Sequence, residues 1–178
     1  MAAIFPRSTA RITLRRLTVS DLVDFQAYRQ CEELSRYQGW VPQPDSEASA
    51  FLNEMGSAEL FQPGVWGQIG IADGSSGKLI GDIGVCISAD ERSADIGFTL
   101  SASYHGKGLA SEAVRATISL LFEVSKIQSV IGVTDSRNIP SIQLLERVGM
   151  KLRSTDRSMF RGQDCSEHTY IVERLIST

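Results

Sequence analysis

Residues 104–111 read Tyr104-His105-Gly106-Lys107-Gly108-Leu109-Ala110-Ser111, two glycines one residue apart at the head of an apolar-patterned segment. The backbone N–H groups of a helix's first turn have no acceptor inside the helix, and the helix dipole adds partial positive charge at the same end. A helix opening on such a turn is a ready site for a phosphate. Gly106 and Gly108 let phosphate oxygens come against the backbone and supply dihedrals that a Cβ resists. Ala110 keeps the approach small. Lys107 can add a point charge, or it can stand solvated. His105 has a perturbable pKa, and on this turn it is expected to contact phosphate or to pack rather than to act as a base.

A glycine-rich turn alone would also suit a dinucleotide site or a plain corner. The dinucleotide fingerprint needs G-x-G-x-x-G after the first strand of a parallel unit, with an acidic residue about 20 positions on. Here the turn follows three strands of antiparallel pattern, and Ser111 stands three residues after Gly108. No G-x-x-x-x-G-K-[ST] run is present, so a P-loop is excluded.

The elements that must position the turn follow from hydrophobic spacing. Residues 11–16 alternate as a half-buried strand, and Thr18 with Asp21 resembles a capping box for a helix running to about Gln30. A second helix is expected from Asp45 and Ser46, with Ala48, Phe51, Leu52 and Met55 on one face; Tyr37 to Pro42 forms an aromatic loop between the two. That loop can wall a binding site or pack over the core. Strands are expected at 65–72, 79–88 and 94–100, separated by the turns 73–77 and 89–92. Gly108 to about Ser125 reads as an amphipathic helix with Leu109, Ala113, Ile118, Leu121 and Phe122 toward a core. Strand 129–134 follows, then a helix capped by Asn138, tolerant of Pro140 in its first turn and stopped by Gly149. Strands 150–159 and 165–175 close the chain around the turn 161–164. The expected fold class is therefore α/β (α+β): one domain over 1–178, with a mixed, mostly antiparallel sheet of about seven strands flanked by about four helices.

Composition narrows the function. With 178 residues, 42% of them apolar and 22% charged, the chain has room for one globular core. A net charge of −3 argues against a general nucleic-acid surface. The apolar runs are short and residues 1–10 lack the apolar core of a secretory signal, so a cytoplasmic location and no membrane partner are expected. Cys31, Cys86 and Cys165 are odd in number, far apart and form no CxxC. They are expected as reduced thiols, with no metal site; Cys86 reads as a sheet residue or, alternatively, a nucleophile.

The turn fits the Q/R-x-x-G-x-G/A signature of the GNAT acetyltransferase superfamily as His105-x-x-Gly108-x-Ala110, with His105 where Gln or Arg is usual. Asn138-Ile139-Pro140-Ser141 followed by Leu144-Leu145-Glu146-Arg147-Val148-Gly149-Met150 resembles the N-x-x-S...L-x-x-x-G-F pattern of the branch containing ribosomal-protein N-terminal acetyltransferases, with Met150 in place of Phe. The segments 9–15 and 106–113 are similar to that branch as well, and the element order resembles the fold across nearly the whole chain. The resemblance implies a GNAT-like domain that uses acetyl-CoA as co-substrate and transfers acetyl directly to a primary amine in a ternary complex. A protein N-terminus is the acceptor it implies first. A polyamine, amino acid or aminoglycoside is the alternative, and a non-catalytic acyl-CoA sensor is a rival of another class.

By the same resemblance, cofactor contacts are expected at Phe98, Leu100, His105, Gly106, Lys107, Gly108, Leu109, Ala110, Ser111, Asn138 and Ser141. The pantetheine is expected along the strand ending at Leu100, in a widened gap beside strand 129–134, where a backbone N–H within 98–100 polarises the thioester carbonyl. Asp95 is implied as the carboxylate that takes the amine proton, directly or through water, unless it is solvated or paired with Arg92. Ser141 is implied as the proton donor to the departing thiolate, unless it only bonds the helix backbone. Leu145 stands where many relatives carry a tyrosine. His168 is a further candidate near the acceptor, or a structural residue. A homodimer is the expected form of self-association.

Overall fold

The structure, a computed structural model, describes residues 4–175. The outer positions of the expected 1–178 domain, and with them the start of the segment 1–10, lie outside the described residues. Eight strands and five α-helices follow in the order β1 (Arg7–Ser8), β2 (Ile12–Arg15), α1 (Leu22–Arg29), α2 (Glu32–Ser35), α3 (Asp45–Ser57), β3 (Trp66–Asp73), β4 (Leu79–Ile87), β5 (Ser93–Leu100), α4 (Leu109–Val124), β6 (Ser129–Asp135), α5 (Ile139–Arg147), β7 (Lys151–Phe160) and β8 (Gln163–Glu173). The mixed, mostly antiparallel class is as expected. The two additions are β1 and α2, of two and four residues, too short to leave a periodic signature.

The strands form one sheet in the order β1-β2-β3-β4-β5-β6-β8-β7, antiparallel throughout except for β5 against β6. Helices cover both faces. Leu109, Ala113 and Leu121 of α4 and Leu144 and Leu145 of α5 join Ile69, Ile83, Ile96 and Val130 of the sheet in the larger core, while Phe25, Tyr28, Ala48 and Leu52 of α1 and α3 pack with Leu17 and Leu79 in a second core on the opposite face. β4 is consequently buried along almost its whole length, as a strand covered on both sides must be.

The β5–β6 pair opens partway. Its register runs from Ser93↔Ser129 to Ile96↔Gly132 and stops there, although β5 continues to Leu100 and β6 to Asp135. Ser93 C=O accepts from Ser88 N–H on the β4 side, and Ser101 N–H donates to Ile80 C=O on that side too. Since strand residues alternate, Phe98 and Leu100 must aim their N–H and C=O groups away from β4, into the gap where β6 has peeled off.

Three ties fix the elements around this gap. Thr18 N–H donates to the Asp21 carboxylate (2.8 Å), which also pairs with Arg15 (2.7 Å) and anchors the start of α1. On the α1 side, buried Asp82 of β4 pairs with Arg29 (2.7 Å) and accepts from Tyr28 Oη and Gln68 Nε2. A buried charge pair needs such additional donors, because desolvation otherwise cancels its attraction. The Arg29 guanidinium in turn lies 4.4 Å from the Trp40 ring centroid, so Trp40 packs over Arg29, whereas Tyr37 lines the cavity at the gap.

Candidate active site

The turn ahead of α4 has the geometry its glycines require. Gly106 and Gly108 have φ of +73° and +76°, in the left-handed region where a Cβ is strained, and open space lies where the Gly106 Cβ would stand. The first helical bond of α4 runs from Glu112 N–H to Gly108 C=O (3.1 Å), so the N–H groups of Leu109, Ala110 and Ser111 precede the ladder, and no side chain caps them. Ser111 Oγ, in a residue only 3% exposed, has no hydrogen-bond partner among the described residues. Uncapped amides beside an orphaned hydroxyl fit an anionic group such as a pyrophosphate.

An ion pair missed in the sequence holds this turn. Arg11, just ahead of β2, donates to Lys107 C=O (2.7 Å) and pairs with Glu112 (2.7 Å), whose other oxygen accepts from Arg11 N–H and Thr9 Oγ1. Arg11 and Glu112 are about 100 positions apart, so no local pattern links them. Lys107 turns away from the site: its Nζ donates to Ser103 C=O (3.0 Å) and lies over the Tyr104 ring. His105 bonds Leu100 C=O through Nε2 (2.7 Å). A carbonyl can only accept, so Nε2 carries the proton and Nδ1 alone is left to accept one.

A cavity of about 850 Å3 runs from this turn along the β5 edge to the start of α5. It collects most of the residues singled out in the sequence: Phe98, Leu100, His105, Gly106, Gly108, Leu109, Ala110, Ser111, Asn138 and Ser141 all line it. Lys107 and Asp95 are not in its lining. The α5 end is set by Asn138, whose Oδ1 accepts from Ser141 N–H (3.4 Å), with Pro140 in the first turn, so the cap is confirmed. Leu145 packs in the core against Gly132, where a Cβ would stand 2.8 Å from its side chain.

Asp95 precedes Phe98 by three residues, an odd spacing, and so lies on the opposite face of β5, cross-strand from Cys86. Burial raises its carboxyl above the ordinary value, and no ion pair with Arg92 forms. Cys31, Cys86 and Cys165 are free thiols. His168 bonds Thr155 Oγ1 (2.8 Å) and packs edge-on to Tyr170, between β7 and β8. No cluster of metal-binding side chains occurs among the described residues, and no helix there is long and apolar enough to cross a membrane.

Gln38 was also missed. Its Nε2 donates to Phe98 C=O (3.2 Å), in the gap itself. The loop carrying Gln38 is gripped from the far side by Arg161, at the β7–β8 turn, whose Nη2 donates to the carbonyls of Ser35, Gln38 and Trp40 at 2.9–3.1 Å. Between that loop and the hairpin lies a second cavity of about 650 Å3, which shares Glu33, Arg36 and Tyr37 with the first.

A family profile described as Acetyltransferase (GNAT) domain matches residues 11–151. Uncharacterized N-acetyltransferase p20 of Bacillus licheniformis is 27% identical over 144 residues, 80% of each chain. Among solved structures, RimL, a ribosomal L7/L12 alpha-N-protein acetyltransferase in complex with coenzyme A, superposes with a TM-score of 0.80 at 17% identity over 94% of this chain and 96% of its own. Spermidine N-acetyltransferase of Vibrio cholerae, in complex with CoA and spermine, superposes with a TM-score of 0.78 at 17% identity over 93% and 96%. The chain belongs to the GNAT acetyltransferase family and is an acyltransferase.

Proposed function

We propose that this acetyltransferase moves acetyl from acetyl-CoA to the α-amine of a protein N-terminus, by direct attack within a ternary complex. The observation that carries the reading is the cavity joining the uncapped start of α4, the open edge of β5 and the first turn of α5, and continuing into a second opening. Two of the solved structures this chain resembles are in complex with coenzyme A, and one of these is a ribosomal L7/L12 alpha-N-protein acetyltransferase.

The thioester supplies an activated acetyl carbon. The amine forms the new C–N bond as the C–S bond breaks; the amine loses one proton and the thiolate takes one. The N–H groups of Leu109, Ala110 and Ser111, with the Ser111 hydroxyl, hold the pyrophosphate. Phe98 and Leu100 present N–H groups in the gap, where they stabilise the carbonyl oxygen as it gains charge. Ser141 and Asn138, at the head of α5, face the same cavity; Ser141 Oγ–H delivers the thiolate proton. Asp95 lies behind the strand and takes the amine proton through water.

The second opening, about 650 Å3, has room for several residues of peptide. The test is thiol release from acetyl-CoA with three acceptors: peptides with free N-termini, the same peptides blocked at the N-terminus but carrying free lysines, and spermidine. Release only with free N-termini is expected. Release with spermidine alone would move the acceptor to polyamines, and binding of acetyl-CoA with no release in any arm would make the protein a sensor.

A further inference from the structure

Resting on that reading of the site, we infer that the acceptor is anionic just beyond its amine: an N-terminus followed within a few residues by Asp or Glu. The second cavity carries the inference. Three guanidiniums, those of Arg36, Arg137 and Arg161, converge on it from α2, the start of α5 and the β7–β8 turn. Arg36 and Arg137 lie on the same Tyr37 ring, at 5.4 and 5.8 Å from its centroid. Like charges that share one ring repel unless an anion lies near both. Asp135 supplies part of that negative charge: it pairs with Arg137 at 2.6 Å and is felt by Arg36 at longer range, without an ion pair to it. Among the described residues neither Arg36 nor Arg161 forms an ion pair.

The opposing charges are Glu32 and Glu33 at the start of α2. They stand four and three residues before Arg36, spacing that permits helical ion pairs, yet none forms. Glu33 and Arg36 line both cavities, whereas Arg137 and Arg161 line only the outer one. A dipolar acceptor fits this order: its amine passes Glu33 toward the gap and its carboxylates stay against the arginines. Arg161 uses Nη2 for the loop carbonyls and has no bond through Nε or Nη1 among the described residues, so part of its fork remains for a carboxylate.

The experiment titrates short peptides into the coenzyme A-loaded protein and reads binding calorimetrically, so it does not depend on turnover. Peptides share one N-terminal residue and differ at positions two to four: Asp/Glu, Asn/Gln or Lys. The acidic peptide is expected to bind about tenfold tighter than its amide counterpart, the scale of one charge-assisted contact. Arg36→Glu is expected to erase that preference and Arg36→Gln to reduce it, both read on protein saturated with coenzyme A. Equal binding of the three peptides, tighter binding of the Lys peptide, or an acidic preference that survives Arg36→Glu would overturn the inference. Failure of the N-terminus reading looks different: the acidic peptide would bind but release no thiol, while a small acidic amine such as aspartic acid α-amide would release it.

Discussion

At the scale of single residues, Ser141 has the most to lose. Its side chain contributes no capping bond, since its own N–H goes to Asn138, so its replacement leaves α5 intact. Ser141→Ala is expected to lower kcat about 100-fold, the low end for loss of a proton-transfer group, with coenzyme A affinity within twofold of wild type. Unchanged kcat would remove Ser141 from the chemistry. Asp95 gives a pH signature. Burial holds its carboxyl above the ordinary carboxylate value, so the ionised base is gained only as pH rises through that raised pKa. The rate should climb over this interval, and Asp95→Asn should remove that limb of the profile; a profile shared by both proteins would exclude Asp95 as the base. Gly106, Gly108 and Asn138 were legible in the sequence because backbone geometry restricts which residues can stand at a left-handed turn or a cap. Arg11, Gln38 and Arg161 were not, because each acts on backbone carbonyls or a carboxylate far away in the chain.

Among the elements, the start of α1 depends on Asp21. Burial alone would raise its pKa, but the Arg15 guanidinium and the Thr18 donors outweigh that and hold it below the ordinary value. A carboxylate depressed in the fold contributes stability that is present above its unfolded pKa and lost as pH falls through the folded one. Asp21→Asn is therefore expected to cost about 1 kcal/mol near pH 7, and less as the pH drops into the acid range. Urea denaturation at several pH values measures it; a cost independent of pH would place the effect outside the ion pair. The helices and strands with full periodic patterns were readable. β1 and α2 were too short, and the aromatic loop left two roles open in the sequence. The structure divides them, with Trp40 packed over Arg29 and Tyr37 lining both cavities.

For the whole molecule, the arrangement that matters is a parallel pair of strands that separates after four residues. The gap exposes the edge of β5 between two helix N-termini, those of α4 and α5, and both ends of the cavity depend on it. Local pattern gave a closing hairpin but not its placement: β8, the later strand, pairs with β6, and β7 takes the outer edge. That choice rests on contacts between distant segments, which periodicity does not encode. Ligand bound at the α4 turn should stabilise the fold by mass action, so thermal unfolding should shift upward with coenzyme A concentration.

Calorimetric titration of coenzyme A into the wild-type protein and Gly108→Val tests the phosphate site directly, with circular dichroism confirming that the variant is folded. A branched side chain at φ +76° strains the turn that presents the Leu109, Ala110 and Ser111 amides and comes against Arg11 Nη2, which helps hold it. The expected result is binding to the wild type and a loss of at least about 100-fold in the folded variant, equivalent to about 2.7 kcal/mol. Equal affinity in the two proteins, or no heat from the wild type, would contradict the assignment of the α4 amides as the anion site.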